Sequence, residues 1–361
     1  MPDKIGIGFI GTGFARSTQI PGFRDTEGAA LVSVASGNVE NAKSTAEEFG
    51  IHHFTDDWRE TAAHPDVDLV CITTPPNLHR EMALFSVSEG KHILCEKPMA
   101  MNANETRVMT EAASKAGVLA LIDHELRFLN GRRRAFEIVR EGGLGEIIHA
   151  KSFFRNASRG NPDLKWNWWS DEIQGGGALG AIGSHVVDGF RWLLETEIRD
   201  VSCLLKTNVR TRPGQDGEPK KVTTDDECNL IFRFKDSDLT DNASGTVSIS
   251  LVEIGEYDFW IEIYGTEGSL VIGEKGDLKI AKRGESEFSP IDIELGEPPE
   301  GTRKGGWSIG FLAFAREIVQ ALQSGSTTVS GAATFEDGHE IQEVLDAARE
   351  SSRTGSRVAI G

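Results

Sequence analysis

No apolar run in this chain approaches the roughly 18 residues of a membrane-spanning helix, so a transmembrane helix is not expected. Positive charge is also scarce. Among 361 residues, 38 Lys and Arg stand against 56 Asp and Glu, a formal charge of -18. That balance argues against nucleic-acid and anionic-membrane partners, which need clustered cations. The one basic cluster, Arg132-Arg133-Arg134, reads as a solvated helix face. The four cysteines, Cys71, Cys95, Cys203 and Cys228, have no metal-ligand spacing, and no metal is expected. Cys71 and Cys95 lie in apolar strand patterns and read as reduced core residues. Low-complexity tracts are missing. After Met1-Pro2-Asp3-Lys4, the apolar run Ile5 to Ile10 is strand length and carries no small-residue cleavage pattern, so a secretory leader is not expected and the cytoplasm is the expected location. With 39% hydrophobic and 26% charged residues, the composition is globular, and the length predicts two domains.

The first domain is expected over 1–128. Its apolar first strand ends at Gly11-Thr12-Gly13, followed by Phe14-Ala15-Arg16 and a helical stretch. In a dinucleotide fold the first glycine makes a tight turn, and the second lets a pyrophosphate approach the helix N-terminus. Arg16 occupies the place of the usual third small residue. Either Ala15 takes the close-packing role or the turn is one residue shorter. Leu31 to Ala35 reads as a second buried strand closing a βαβ unit. Where an NAD enzyme places a carboxylate for the adenosine ribose, this chain has Ser36-Gly37-Asn38, with Lys43 beyond. A carboxylate there would repel a 2′-phosphate, whereas Ser, Asn and Lys accept one. NADP(H) is therefore favoured, with NAD(H) as the alternative; plain turn residues at 36 and 38 would leave use of both open. A buried strand ending near Ile72 breaks into Thr74-Pro75-Pro76-Asn77-Leu78-His79. Another, Ile93-Leu94-Cys95, runs into Glu96-Lys97-Pro98. A Lys at the carboxyl end of a central strand points at the crevice where open α/β sheets bind ligands. Leu119 to His124 reads as the last strand of this parallel sheet.

The second domain, expected over 129–361, opens with a helix from Arg134 to Glu141. Cys228, Leu230, Phe232 and Phe234 alternate, as do Val247, Ile249 and Leu251, then Phe259, Ile261 and Ile263. This period of two predicts an open, largely antiparallel sheet in an α+β domain. Helices over 310–324 and 334–354 are expected to close it. After Gly175-Gly176-Gly177, a helix carries Leu179, Ile182, Val186 and Leu193 as one stripe and Ala181, His185, Asp188 and Trp192 as its neighbour. His185 and Asp188 are spaced for a carboxylate to hold or tune an imidazole. Trp166, Trp168 and Trp169, three indoles in four residues, suit either a lid stacking on sugar C–H faces or a hydrophobic plug. Arg155 ends the preceding strand and either donates to substrate oxygens or sits in solvent.

This ordered set of glycine turn, Glu-Lys-Pro strand end and histidine helix resembles the glucose-fructose oxidoreductase / inositol dehydrogenase / MocA family of nicotinamide-dependent sugar and cyclitol oxidoreductases. The likeness runs over nearly the whole chain. It implies a Rossmann domain followed by an α+β substrate domain. The Ser-Gly-Asn sequence resembles the family's NADP-using members. Thr74, Pro75, Asn77 and His79 match a passage beside the nicotinamide ribose, with Glu96 and Lys97 at the same edge. Arg127-Phe128 matches the family's Arg-Phe pair. The resemblance implies hydride transfer between the cofactor and a hydroxyl or carbonyl carbon of a sugar, cyclitol or related polyol. Lys97 would bond the reacting oxygen and His185 would act as acid/base. Arg127, Arg155, Trp166, Trp168, Trp169 and Asp188 would contact substrate. The family helix usually carries an aspartate four residues before the histidine, and here that residue is Ala181. Two other readings stay open: a reductase of an unsaturated substrate, like the biliverdin reductase branch, and a non-catalytic cofactor-sensing regulator. The family's C-terminal sheet commonly makes subunit contacts, which implies a homodimer or homotetramer.

Overall fold

A computed structural model describes residues 4–302 and 304–361; the lead Met1-Pro2-Asp3 lies outside the described residues. The chain divides into two compact units. The first comprises 1–129 and 296–339, and the second comprises 130–295 and 340–361. Among the described residues no helix is long and apolar enough to cross a membrane.

Six short strands form the sheet of the first unit: β1 (Ile5–Ile10), β2 (Ala29–Ala35), β3 (His53–Thr55), β4 (Leu69–Ile72), β5 (His92–Cys95) and β6 (Ala120–Ile122). All pairs are parallel, in the order β3-β2-β1-β4-β5-β6. Parallel strands are covered on both faces, which is why β4 and β5 are near-continuous apolar runs rather than alternating ones. Helices α1 (Ile20–Arg24), α2 (Val39–Phe49), α3 (Trp58–Ala62), α4 (His79–Ser88) and α5 (Ala103–Ala116) connect them. Their starts are chemically marked. Asn38 caps α2 by accepting from Glu40 N–H and Asn41 N–H, and Asn102 caps α5 by accepting from Glu105 N–H. One core layer gathers Met82, Ala83, Met109 and Ala113 against Val70, Ile72 and Ile93.

The second unit is built on nine strands ordered β16-β15-β14-β13-β7-β12-β11-β8-β17. They are β7 (Ile147–Arg155), β8 (Ile198–Lys206), β11 (Glu227–Phe234), β12 (Thr240–Ser250), β13 (Asp258–Gly265), β14 (Gly268–Ile272), β15 (Leu278–Lys282), β16 (Ser289–Ile291) and β17 (Val358–Ala359); β9 (Thr211–Pro213) and β10 (Pro219–Lys221) form a separate hairpin. Only the β7–β12 pair is parallel. The sheet is thus open and largely antiparallel, as expected. Alternation buries one face, where Phe232 and Phe234 meet Phe190 edge-on. Helices α6 (Asn130–Arg140) and α7 (Ser184–Leu194) supply that cover. Arg132 departs from the solvated-face expectation: it is buried, with its guanidinium over the Phe259 ring. The stem of an arginine can line apolar surface while its planar head stacks on an aromatic ring.

Two late helices, α8 (Gly306–Gln323) and α9 (Phe335–Thr354), correct the expected domain boundary. Helix α8 belongs to the first unit, not the second, and α9 enters the second only from Glu340. The reason lies in the α8 stripe Phe311, Phe314, Ile318 and Leu322, which joins Phe9, Phe23 and Phe128 in one core. Phe314 stacks on Phe128 at 4.3 Å, and Phe311 meets Phe23 edge-on at 5.5 Å. Residue 333 also adds to the edge of the sheet, where Ile122 N–H donates to Ala333 O.

Candidate active site

The carboxyl edge of the parallel sheet carries four turns, after β1, β2, β4 and β5. The first follows β1. Gly11 has φ of 104°, and a Cβ there would stand 2.6 Å from Thr73 Oγ1 and 2.8 Å from Thr73 O. Only glycine fits such a left-handed, crowded position. Gly13 differs, since a Cβ there would meet nothing within 4 Å. Its bareness leaves open space at the head of a helix, the approach a pyrophosphate needs. That helix opens with a π turn over Ala15–Gln19 before α1. Ala15 is fully buried, while Arg16 is exposed and its Nε pairs with Glu48 at 2.6 Å. Ala15 is therefore the small residue that packs closely here, and Arg16 stays at the surface. Phe14 is half-buried beside it.

After β2, Thr12 Oγ1 donates to Ser36 Oγ at 3.4 Å, which ties the first and second turns together. Gly37, Asn38 and Lys43 are exposed. The Asn38 side chain is occupied as the cap of α2, so it has less freedom to meet a ligand than its place suggests.

After β4 and β5, a buried histidine joins the other two turns. His79 Nε2 lies 2.7 Å from Thr74 O, and Nδ1 lies 3.2 Å from both Pro98 O and Met99 O. It is fully buried. Burial pushes its pKa below 6.5, and the three carbonyls partly restore it. Pro75 precedes a short 3₁₀ turn over Pro76–Leu78, Thr74 Oγ1 reaches Met82 Sδ, and Asn77 is exposed. Lys97 follows β5 and is half-buried, between buried Glu96 and Pro98, and the Lys97–Pro98 bond is cis. Glu96 is raised above the usual carboxylate range by burial, while Lys97 draws it back down. Arg127 is buried in the same unit, where its guanidinium pairs with Asp337 at 3.3 Å. This contact ties the segment after β6 to the start of α9.

Two buried polar residues at this edge escaped the sequence reading: Gln19 and Asp123. Gln19 Nε2 is 2.7 Å from Asp123 Oδ2 and 3.1 Å from Glu96 Oε1. A glutamine between Thr18 and Ile20, and an acid directly after an apolar strand, were the available signals.

In the second unit the glycine run has a structural cause. Gly177 has φ of 116°, and a Cβ there would stand 2.4 Å from Asp225 Oδ1. The Asp225 carboxylate accepts from Leu179 N–H at 2.7 Å and so caps the helix start. A π turn over Leu179–Gly183 precedes α7, so Ala181 and His185 are separated by a widened turn. The two-stripe pattern does not divide this helix into buried and exposed faces. His185 and Asp188 are both buried, as is nearly all of α7. Trp166 Nε1 donates to Lys221 O at 3.0 Å, and Lys220 lies over its ring. Trp168 and Trp169 meet at 5.2 Å, with Arg159 over Trp169. These indoles are seated on the β9–β10 hairpin and its surroundings. Arg155 Nε donates to Glu256 O at 3.3 Å and lies over Phe153.

Comparison with known proteins adds to this geometry. Residues 5–124 match the family model for the oxidoreductase family with an NAD-binding Rossmann fold, and residues 132–271 match the model for the GFO/IDH/MocA C-terminal domain. An uncharacterized oxidoreductase of Synechocystis is 31% identical over 269 residues, which cover 74% of this chain and 71% of that one. Levoglucosan dehydrogenase of Pseudarthrobacter phenanthrenivorans is 28% identical over 354 residues, 91% of this chain and 88% of that one. The structure of levoglucosan dehydrogenase in complex with NADH and L-sorbose superposes with a TM-score of 0.89 at 27% identity, covering 99% of each chain.

Proposed function

The chain belongs to the glucose-fructose oxidoreductase / inositol dehydrogenase / MocA family of oxidoreductases, and from that premise we propose that it oxidises or reduces a sugar or related polyol at a CH–OH carbon with a nicotinamide dinucleotide. The observation that carries the reading is the placement of Lys97. A cation stands at the carboxyl end of a central parallel strand, on the same sheet edge as a glycine turn with open space over Gly13. The neighbouring enzyme whose structures hold NADH and a sugar, levoglucosan dehydrogenase, supports the substrate class.

Gly11, Thr12, Gly13, Phe14 and Ala15 would hold the pyrophosphate against a helix start, where backbone N–H groups and the helix dipole favour anions. Thr74, Pro75, Asn77 and Glu96 would line the nicotinamide end, with His79 fixing the turns that carry them. When bound, the nicotinamide supplies the hydride acceptor or donor. Lys97 donates a hydrogen bond to the reacting oxygen and favours its alkoxide character, an interaction that strengthens in the transition state. His185 takes the hydroxyl proton in oxidation and returns it in reduction, with Asp188 three residues along the same helix as its partner. Trp166, Trp168, Trp169 and Arg155 are assigned to the substrate's flanks. Arg127 acts at a remove, through its ion pair with Asp337.

For the cofactor we assign binding of NADP(H) at least as tight as that of NAD(H). Ser36-Gly37-Asn38 presents no carboxylate to repel a 2′-phosphate, and Lys43 is exposed on α2. NADH is the cofactor named for the levoglucosan dehydrogenase complexes. Titration of tryptophan fluorescence with NADPH and NADH decides between them, and tighter NADH binding would refute the assignment. Ser36→Asp should then favour NAD(H). A screen of sugars, anhydrosugars and cyclitols with both cofactors, read by nicotinamide absorbance, tests the reaction; no turnover with any of them would leave the reductase of an unsaturated substrate and the regulator. The outer face of the nine-stranded sheet carries Phe153 stacked on Trp260, with Ile231 and Leu204 exposed. This face is assigned to self-association into a dimer or tetramer, and a monomeric mass by light scattering would refute it.

A further inference from the structure

Strand register sets two carboxyl side chains next to each other behind Lys97. Cys95 of β5 pairs with Ile122 of β6, so Glu96 and Asp123 leave neighbouring parallel strands together. Their backbones are anchored: Glu96 N–H donates to Ile72 O at 2.9 Å and Asp123 N–H to Cys95 O at 2.8 Å. Both side chains are buried, and so is Gln19. A single amide nitrogen, Gln19 Nε2, reaches both Glu96 Oε1 and Asp123 Oδ2. Among the described residues, Asp123 Oδ1 and Gln19 Oε1 are buried without a hydrogen-bond donor or acceptor of their own.

Two ionised carboxylates buried together and sharing one neutral donor repel each other and are poorly solvated. The arrangement closes when one of them is protonated and donates to the other. We propose that Glu96 and Asp123 hold one proton between them at neutral pH, weighted to Asp123, and that this pair positions Lys97. The charged and titratable groups around the pair agree. Buried Glu125 and Glu96 both push Asp123 up beyond the effect of burial itself. Lys97 pulls Glu96 down, and Lys97 N–H donates to the Glu96 carboxylate. Cys71 and Cys95, the thiols that feel the pair from β4 and β5, are themselves pushed up by burial and stay neutral. The anion thus sits on the Glu96 side, facing the lysine, and the acid sits behind it. Asp123 and Gln19 are positioning residues: they act on Lys97 through Glu96. This role rests on the reading of Lys97 as the group that meets the reacting oxygen.

The experiment uses the full chain. An infrared spectrum of wild type minus Asp123→Asn should show the C=O stretch of a protonated carboxylic acid at neutral pH. A difference spectrum with only carboxylate bands would overturn the shared proton, and this reading needs no substrate. Thermal melts against pH give a second readout. A carboxyl raised in the fold lends stability that is fully present below pH 3.8 and fades as the pH climbs to its folded value. Asp123→Asn should therefore gain on wild type as pH rises through that window; a constant difference would count against the proposal. In turnover, the Asn amide can replace the acid's O–H donor, so Asp123→Asn should lose no more than about tenfold, one ordinary hydrogen bond. Asp123→Ala and Glu96→Gln should lose about 10²-fold in kcat, with KM little changed, by misplacing Lys97. Equal losses in Asp123→Asn and Asp123→Ala would overturn the donor role. Should Lys97→Ala retain turnover, the positioning role fails with that reading, while the infrared band still reports the shared proton.

Discussion

Replacing His79 by leucine isolates the link between the turns after β4 and β5. The two side chains are similar in volume, so little cavity is made. What disappears is a ring whose Nε2 lies 2.7 Å from Thr74 O and whose Nδ1 lies 3.2 Å from both Pro98 O and Met99 O. Neutral imidazole has a single N–H: on Nδ1 it serves Pro98 O and Met99 O and joins the two turns, and on Nε2 it serves Thr74 O within its own turn. Losing it orphans one buried carbonyl at a cost of about 1–3 kcal/mol. At about 2–4 °C per kcal/mol for a unit of this size, the melting temperature should fall by about 5 °C. Freed of the clamp, the turn bearing Lys97 should drift, and a displacement near 1 Å costs about 10²-fold in rate. Calorimetry and steady-state kinetics on one preparation measure both effects, with the loss expected in kcat more than in cofactor affinity. The pH dependence has a defined sign. Because the fold lowers the His79 pKa from 6.5, its contribution is present above pH 6.5 and is lost as pH falls toward the folded value. His79→Leu should remove that acid sensitivity. A leucine variant with unchanged melting temperature and kcat would refute the clamp.

Lys97→Ala should lower kcat by about 10²–10³-fold, the scale of removing one donor to a developing oxyanion, and leave the fold intact by circular dichroism. His185→Asn keeps shape without proton transfer and should lose about 10²–10⁴-fold, with a flattened rate–pH profile as its signature. Gly11→Ala must hold φ near 104° with its Cβ 2.6 Å from Thr73 Oγ1, which costs about 1–3 kcal/mol of backbone strain before the clash is counted. Dinucleotide affinity by fluorescence titration should fall with it, and an unchanged affinity would detach this turn from the cofactor.

Much of this molecule is written in local pattern. The apolar runs of β1, β4 and β5, the turn at Gly11 to Gly13, the alternation in β11 to β13 and the Glu-Lys-Pro strand end are each set by neighbours in the chain, and period and turn chemistry report them directly. Other features depend on residues far away in sequence. The α8 stripe announces an amphipathic helix, but only packing against Phe23 and Phe128 decides which unit it closes. Arg132 reads as solvated until Phe259, more than a hundred residues on, arrives over its guanidinium. Burial of His185 and Asp188, and the π turns before α1 and α7, follow from what surrounds those helices and not from their spacing. The pairing of Glu96 with Asp123 is of the same kind. Each stands alone as an acid at the end of its own strand, and only the register of β5 on β6, with Gln19 reaching across, makes them share a site. Periodicity specifies which face a residue occupies; which charges then meet in a low-dielectric interior is decided by the fold, because desolvation and pairing energies exist only once the chain has closed around them.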